Sequence, residues 1–329
     1  MAIKDVSFVV VCYNHARYAD RVAHFLKHQN DVEDAEFIFI DDGSPDDTVV
    51  AFRRATEGWQ NTLVHRQDNK GPSNALNQGL RQATRKYVKL VGGDDLLHPD
   101  ATRLLHSNIK ANNAVFAMGL LKAFDFRTGL EDTAYWENLM AEPGGGSATR
   151  INDPLLFLLK SMDFNPSCVL LDREVAMTAG GSDERIFVED YSLCLRMALH
   201  GVFVSVAADV AYGPGGDEAR LSFDGAQTLH DMNAALANLL RDQADFSRSL
   251  KNRITRSALG RGCNWARRHE NAHVVSRINL LYLLANLRIG SWPLISTSET
   301  MMKAACEPFG RSRDIRRPIP EANTRGTRA

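Results

Sequence analysis

Several features are missing from this chain, and each absence narrows what it can be. No run of eighteen or more apolar residues occurs in its 329 residues, so a membrane-spanning helix is not expected. The stretch from Met1 to Asp5 passes straight into an apolar segment without the pattern of a secretory signal. Only five cysteines are present (Cys12, Cys168, Cys194, Cys263, Cys306), odd in number and scattered. They lack the paired spacing of a metal site and fit a reducing, cytoplasmic compartment. No Gly-x-Gly-x-x-Gly follows the first apolar run, which removes the ordinary dinucleotide-binding dehydrogenases. No internal repeat is visible. Basic residues come without interleaved aromatics, so nucleic acid is not expected as a partner.

What remains is an ordinary globular composition, 44% hydrophobic and 24% charged, enough for one large domain and an extension. The net charge of −1 hides an asymmetry. Residues 241–329 carry 17 Lys and Arg against 7 Asp and Glu, whereas residues 1–240 carry 22 against 33. An acidic body precedes a basic tail.

The first half alternates strand and helix. Strands are expected at Val6–Cys12, Glu36–Asp41, Leu63–Gln67 and Tyr87–Val91. Helices are expected at Arg17–Gln29, Thr48–Thr56, Ser73–Ala83 and Pro99–Asn112. This alternation predicts a parallel, doubly wound α/β sheet. The middle predicts a long strand over Val115–Phe126, a flexible loop at Pro143–Ser147, a helix over Asp153–Ser161 and a strand at Ser167–Leu171. A short helix at Arg173–Ala179, an amphipathic helix at Asp190–His200 and a strand at Val202–Val206 follow. From Asp224 the pattern is helical, over Gly225–Arg241, Ser247–His269 and Asn271–Ile289. After Gly290 it is basic and broken by Pro and Gly, and the last twenty or so residues read as disordered. The expected division is an α/β domain over 1–223 (halves 1–112 and 113–223), a helical extension over 224–290, and a basic, flexible tail over 291–329.

Five segments carry chemistry. In Gly92-Gly93-Asp94-Asp95 two carboxylates follow a buried strand, at the sheet edge where open α/β sheets bind ligands. Adjacent carboxylates repel unless a cation or donors intervene, and hard divalent cations bridge carboxylates to phosphate. The plain alternative is a tight Gly/Asp turn. Tyr13-Asn14 ends the first strand; an aromatic there can stack on a base or simply close the core. Asp41-Asp42 ends the second strand, placed to accept hydrogen bonds from a nucleoside, whereas Asp46 and Asp47 read as helix-start residues. Asn69-Lys70-Gly71, opening a helix that contains Asn77, offers free N–H groups and a cation to an anion. Glu189-Asp190 opens another helix; the dipole alone favours acids there, but a carboxylate in a cleft can also act as a general base.

In this order the segments resemble the inverting family 2 glycosyltransferases with the GT-A fold, from about Val6 to Val206. The matching residues are Tyr13-Asn14; Ile40-Asp41-Asp42-Gly43-Ser44; Asn69, Gly71, Ala75, Asn77 and Gly79; the strand opened by Arg85-Lys86-Tyr87-Val88; Gly180–Glu184; and Glu189–Arg196. The resemblance implies a GT-A-like, doubly wound mixed sheet with flanking helices. Residues 1–112 would form the nucleotide-sugar half and 113–223 the acceptor half. Tyr13 would stack on the donor base, Asp42 would hydrogen-bond it, Asp41 would support the turn and Asp94 would hold the ribose. Asn14, Asn69, Lys70 and Asn77 would complete the donor site. Asp95 would bind Mg²⁺ or Mn²⁺. Asp190 would be the catalytic base, with Glu189 and Arg196 ordering the acceptor side.

Four departures stand out. Gly92 replaces the first Asp of the usual Asp-x-Asp-Asp, Leu76 replaces a common Arg, and Ser182 replaces a Phe. No Tyr-Arg-x-His follows Tyr212, which leaves Arg220 and Ser222 as substitutes. The implied activity is transfer of a sugar from a UDP- or other NDP-sugar to a hydroxyl of a glycan or lipid-linked acceptor in cell-surface polysaccharide synthesis. A non-catalytic nucleotide-sugar binder and a nucleotidyltransferase are the alternatives. The leucine-rich helix Asn271–Ile289 would pack on the catalytic domain. Alternatively it would lie at a membrane interface beside Arg311, Arg313, Arg316 and Arg317, making the protein peripheral at the inner face of an anionic cytoplasmic membrane.

Overall fold

The computed structural model describes residues 2–125, 127–129, 131–141, 146–160, 165–215, 225–269, 277–286 and 298–309. Residues 143–145 of the expected loop, Arg220 and Ser222, both ends of the Asn271–Ile289 helix, and the arginines beyond 310 lie outside them.

The N-terminal half follows the predicted alternation. Strands β1 (Val6–Cys12), β2 (Glu36–Asp41), β3 (Thr62–Arg66) and β4 (Tyr87–Gly92) are linked by α1 (Ala19–Lys27), α2 (Thr48–Ala55) and α3 (Pro72–Gln82). Their apolar runs are nearly continuous because both faces of a parallel sheet are covered. Alternate residues serve the two sides: Val9, Ile38, Ile40, Val88 and Leu90 join one core, and Phe8, Val10, Phe37, Phe39 and Val91 join the other. Lys89 is the exception inside β4. It is fully buried, and its ammonium donates to the carbonyls of Ser167 and Leu90.

Beyond β4 come the two-residue β5 (Leu96–Leu97), α4 (Ala101–Ala111), β6 (Phe116–Asp125), α5 (Thr133–Leu139), β7 (Ala148–Ile151) and α6 (Pro154–Leu158). Then follow β8 (Val169–Asp172), α7 (Arg173–Thr178), α8 (Glu189–Met197) and β9 (Phe203–Gly215). Strand order is β3-β2-β1-β4-β8-β6-β9-β5, with β7 on the side of β9. The first four strands are parallel, as expected. β8 runs antiparallel to both β4 and β6 and makes the sheet mixed. β9 is longer than its expected five residues because it pairs in parallel with β6 as far as Gly215, through register shifts at Met118–Leu121. Helix α5 was not anticipated; Asp132 caps it by accepting from the Tyr135 amide at 3.0 Å.

The extension forms α9 (Gly225–Asp242), α10 (Arg248–His269) and α11 (Arg277–Asn286). Within the segment expected to be a flexible tail, α12 (Ser298–Cys306) is helical, and its Met302 and Ala305 join the first core beside Leu236 and Leu259. On α11, Ile278 and Asn279 are buried, while Leu280 and Leu283 face outward. Among the described residues no helix is long and apolar enough to cross a membrane.

The strand order decides where a ligand can sit. From β1 the chain moves to β2 and β3 on one side, then returns to place β4 on the other. That reversal opens a crevice beyond the carboxyl ends of β1 and β4.

Candidate active site

The crevice is a cleft whose lining includes Tyr13, His15, Asp42, Asn69, Asp94 and Asp95 on the strand-end side, and Glu189 and Asp190 at the start of α8. Register aligns the strand ends. Val11 stands opposite Gly92 and Cys12 opposite Asp41. The Gly93 amide donates to Val11 O at 2.8 Å, and the Asp42 amide to Cys12 O at 2.9 Å.

Asp42 is almost fully buried. Its carboxylate accepts from the Lys70 amide at 2.9 Å, the Gly71 amide at 2.8 Å and Gln67 Nε2 at 2.8 Å. Burial pushes its pKa up against these hydrogen bonds. Asn69 sits beside Tyr13 and interacts with its hydroxyl. Asn69 Oδ1 is buried without a hydrogen-bond partner among the described residues, an acceptor left for a ligand to satisfy.

Asp41 faces the turn. It accepts from the Ser44 amide at 3.1 Å and from the Ser44 hydroxyl, and lies 3.6 Å from Arg66 Nε. Asn14 is exposed and in the left-handed region at φ 61°, a conformation asparagine tolerates; its amide donates to Ser44 Oγ at 2.9 Å. Lys70 is exposed, and the bond it makes to Asp42 is through its backbone. Asp41, Asn14 and Lys70 are not part of the cleft lining.

Asn77 also lies away from the cleft lining. Its amide group donates to Ser182 O at 2.9 Å and Glu184 Oε1 at 2.8 Å, and accepts from the Ser182 amide at 2.8 Å. The expected donor contact is thus a clamp between α3 and the 180–184 turn. Burial explains the choice: an amide enclosed at a helix–turn contact must pair its donors and acceptor there.

Asp94 and Asp95 are buried at the cleft. Asp94 Oδ1 is 3.9 Å from His15 Nε2. Asp95 Oδ2 accepts from Ser167 Oγ at 2.6 Å, and Ser167 Oγ accepts from the Gly92 amide at 2.8 Å. Gly92 has a steric reason. A Cβ there would stand 2.9 Å from Asp95 Oδ2 and 3.1 Å from Asp94 Oδ1, so the two carboxylates fold back over the space a side chain would fill.

Across the cleft, Asp190 Oδ1 accepts from the Tyr191 amide at 2.6 Å. Burial raises the pKa of both Glu189 and Asp190, and the Asp190 charge raises that of Glu189 further. The start of α8 is tied down by neighbours: Ser182 Oγ and Ser192 Oγ donate to Glu189 O at 2.9 and 3.0 Å. Arg196 donates to Gly180 O at 3.0 Å and Gly181 O at 3.2 Å and pairs with Asp183 at 3.6 Å. Burial works against the Asp183 charge, but Arg185, Asn238 and Arg196 hold its pKa below the usual carboxylate range.

Sequence reasoning missed four cleft contributors: His15, Asn165, Ser167 and Thr228. Asn165-Pro166 carried a turn signal, and the Asn165 side chain accepts from the Ser167 amide at 2.7 Å. Nothing local connects that turn with Asp95.

Leu76 and Ser182 stand where the resemblance expects Arg and Phe. Leu76 is buried in the first core and borders the cleft, and Ser182 is a clamp residue.

Comparison with known proteins gives a consistent result. Poly-beta-1,6-N-acetyl-D-glucosamine synthase of Staphylococcus aureus (strain COL) is 32% identical over 109 residues, which is 33% of this chain and 26% of that protein. The Staphylococcus epidermidis protein of the same name is 29% identical over 111 residues, 33% of this chain and 26% of its own. The match thus spans about a quarter of these relatives' length. The crystal structure of S. aureus TarS residues 1–349 superposes with a TM-score of 0.59 at 14% identity, covering 92% of this chain and 88% of that one. The mannosyltransferase PcManGT of Pyrobaculum calidifontis, in complex with GDP-Man and Mn²⁺, gives 0.54 at 16% identity, covering 93% and 85%. These likenesses confirm the GT-A-like fold. The Glycosyl transferase family 2 model matches residues 7–176, more than half of the chain and every strand of the crevice, and the chain belongs to that family.

Proposed function

We propose that this chain transfers a sugar, with inversion, from a nucleotide-sugar to a hydroxyl of a glycan or lipid-linked acceptor. One observation carries the reading: Asp94-Asp95 and Glu189-Asp190, remote in sequence, line a single cleft. Tyr13 packs against the base, and Asn69 Oδ1 and the remaining lone pair of Asp42 accept from it. Asp94 holds the ribose. Asp190 takes the proton of the attacking hydroxyl, and its raised pKa makes it a stronger base than an ordinary carboxylate. One direct displacement at the anomeric carbon inverts that centre. Asn14, Asp41 and Lys70 act by shaping the donor turns, Asn77 by clamping α3 to the 180–184 turn, and Glu189 and Arg196 by holding α8 to that same turn.

Metal dependence is part of the proposal. Among the described residues no three His, Cys, Asp or Glu side chains gather into a full ligand set. Mg²⁺ does not require one, because it commonly uses one or two carboxylates with substrate phosphates and water. Asp95, with Asp94 beside it, fits that mode, and the Ser167 hydroxyl fixes one Asp95 oxygen. Mg²⁺ or Mn²⁺ held there would neutralise charge on the departing nucleoside diphosphate.

The solved structures of TarS with UDP-GlcNAc and PcManGT with GDP-Man and Mn²⁺ support a UDP- or GDP-sugar donor, and the poly-N-acetylglucosamine synthases support a cell-surface glycan product. A cytoplasmic site of action fits the free cysteines.

The test is thermal stabilisation by a panel of UDP- and GDP-sugars with and without Mg²⁺ or Mn²⁺, since a bound ligand must raise apparent stability, followed by nucleotide release. Stabilisation that needs metal and vanishes in Asp95→Ala is expected. Stabilisation by no nucleotide-sugar would overturn the reading. Binding without turnover would leave a non-catalytic binder.

A further inference from the structure

The helical extension holds a second cavity, of about 690 Å³, walled by α6, α9, α10 and α11. One face of α10 builds much of it: Arg253, Arg256, Gly260, Asn264 and Arg268 recur at spacings of three and four, which stack on one side of a helix. Lys160, just past α6, adds a further cation, and Tyr282 of α11 faces Gly260. A Cβ on Gly260 would stand 3.1 Å from Cε2 of the Tyr282 ring, so glycine is what lets that ring pack closely on α10 there. The side chains of Arg253, Arg256, Arg268 and Lys160 make no hydrogen bond or ion pair with any described residue. Among the described residues no Asp or Glu lines this cavity. Like charges gathered in a concavity repel unless an anion enters, and planar guanidinium groups match phosphate and carboxylate in particular.

The cavity and the catalytic cleft share helix α9 as a wall. Consecutive residues of α9 line the two, Thr228 the cleft and Leu229 the basic cavity. At the back of the basic cavity the buried Arg261 lies over the ring of Tyr191, 5.6 Å from its centroid, and Tyr191 follows Asp190 directly. The cations, Arg253, Arg268 and Lys160 exposed and Arg256 half-buried, line a concave wall together with Ser257, Asn264 and Tyr282, polar groups suited to sugar hydroxyls.

We propose that this cavity binds an anionic segment of the acceptor, a glycan bearing phosphate or carboxylate groups, whose terminal hydroxyl reaches Asp190. The acceptor role rests on the transferase reading above; the binding does not. The cavity grips the acceptor at a distance from the reacting bond and sets its class by charge.

The test uses the full-length chain without nucleotide-sugar or metal, so its outcome is independent of whether a donor binds. Fluorescein-labelled oligogalacturonate and phosphorylated dextran are titrated by polarisation against neutral dextran, and against vesicles of phosphatidylcholine with phosphatidylglycerol. Both anionic glycans should bind, weakening steeply with salt, and neutral dextran should not. The double variant Arg256→Gln, Arg268→Gln should weaken binding about tenfold or more, since each loses a charge-assisted hydrogen bond, whereas the double Lys variant should retain most of it. Equal binding by wild type and the Gln variant, binding indifferent to salt, or equal binding of neutral dextran would overturn the proposal. Vesicle binding that the Gln variant abolishes, with no binding of either glycan, would overturn it in favour of a membrane surface.

Discussion

Ser167 Oγ donates a 2.6 Å hydrogen bond to Asp95 Oδ2 while accepting one of 2.8 Å from the Gly92 amide. One hydroxyl thus joins β8's approach to the end of β4 and aims the carboxylate proposed to hold the metal. Ser167→Ala should lower metal-dependent donor affinity by about 10–100-fold, the usual effect of losing a group that orients a metal ligand. It should also cost roughly 1–3 kcal/mol of stability, because the Gly92 amide is left without its partner. Calorimetric titration of donor with Mn²⁺ checks the first; unchanged affinity would remove Ser167 from the site.

Gly92→Ala tests the crowding at the same turn. The new methyl would meet both carboxylates at about 3 Å, so Asp94 and Asp95 must move apart. Donor affinity should fall with little change in the melting temperature, since the turn lies at the rim of the cleft. A variant with full affinity would show that the carboxylates rearrange freely when metal enters.

Asp190→Asn should reduce turnover by about 10²–10⁴-fold with donor affinity kept. The base works deprotonated, and burial raises its pKa. Wild-type activity should therefore fall, as pH is lowered, at a higher pH than an ordinary carboxylate would produce. A turnover–pH profile level down to the normal aspartate range would count against Asp190.

Asn77→Ala separates a donor contact from a clamp. Loss of its three bonds to Ser182 and Glu184 should destabilise the fold by about 2–4 kcal/mol and leave donor affinity nearly intact. A large affinity loss with unchanged stability would restore the donor role expected from sequence.

Lys89 is fully buried, and burial lowers its pKa to about 7. Between that value and its unfolded value near 10.5, the unfolded chain binds the extra proton, so stability should rise as pH rises through this window. One proton corresponds to at most about 1.4 kcal/mol per pH unit. Lys89→Met should flatten the rise; denaturant titrations at pH 7 and pH 10 measure it.

The motifs that rest on local chemistry were legible before the fold. β1 and β2 have the bounds expected from their apolar runs and flanking residues, and the carboxylates after β4 stand at a sheet edge. Contacts made across long sequence separations were not. Nothing near Ser167 announces Asp95, and nothing in β9's first five residues shows that it continues beside β6. Asn77 matched a family pattern, but a pattern does not say which way a side chain turns.

By itself the sequence determined the alternation of strand and helix, because hydrophobic period and turn residues act over a few neighbours. It also determined which acidic pairs reach a sheet edge. Only the tertiary structure decided which pairs share a cleft, since strand order at the β1–β4 switch point and the docking of α8 bring Asp95 and Asp190 together. It also decided that Arg253, Arg256 and Arg268 of α10 line one concavity, because that depends on where α6, α9 and α11 pack. Long-range packing, which no local propensity encodes, made both choices.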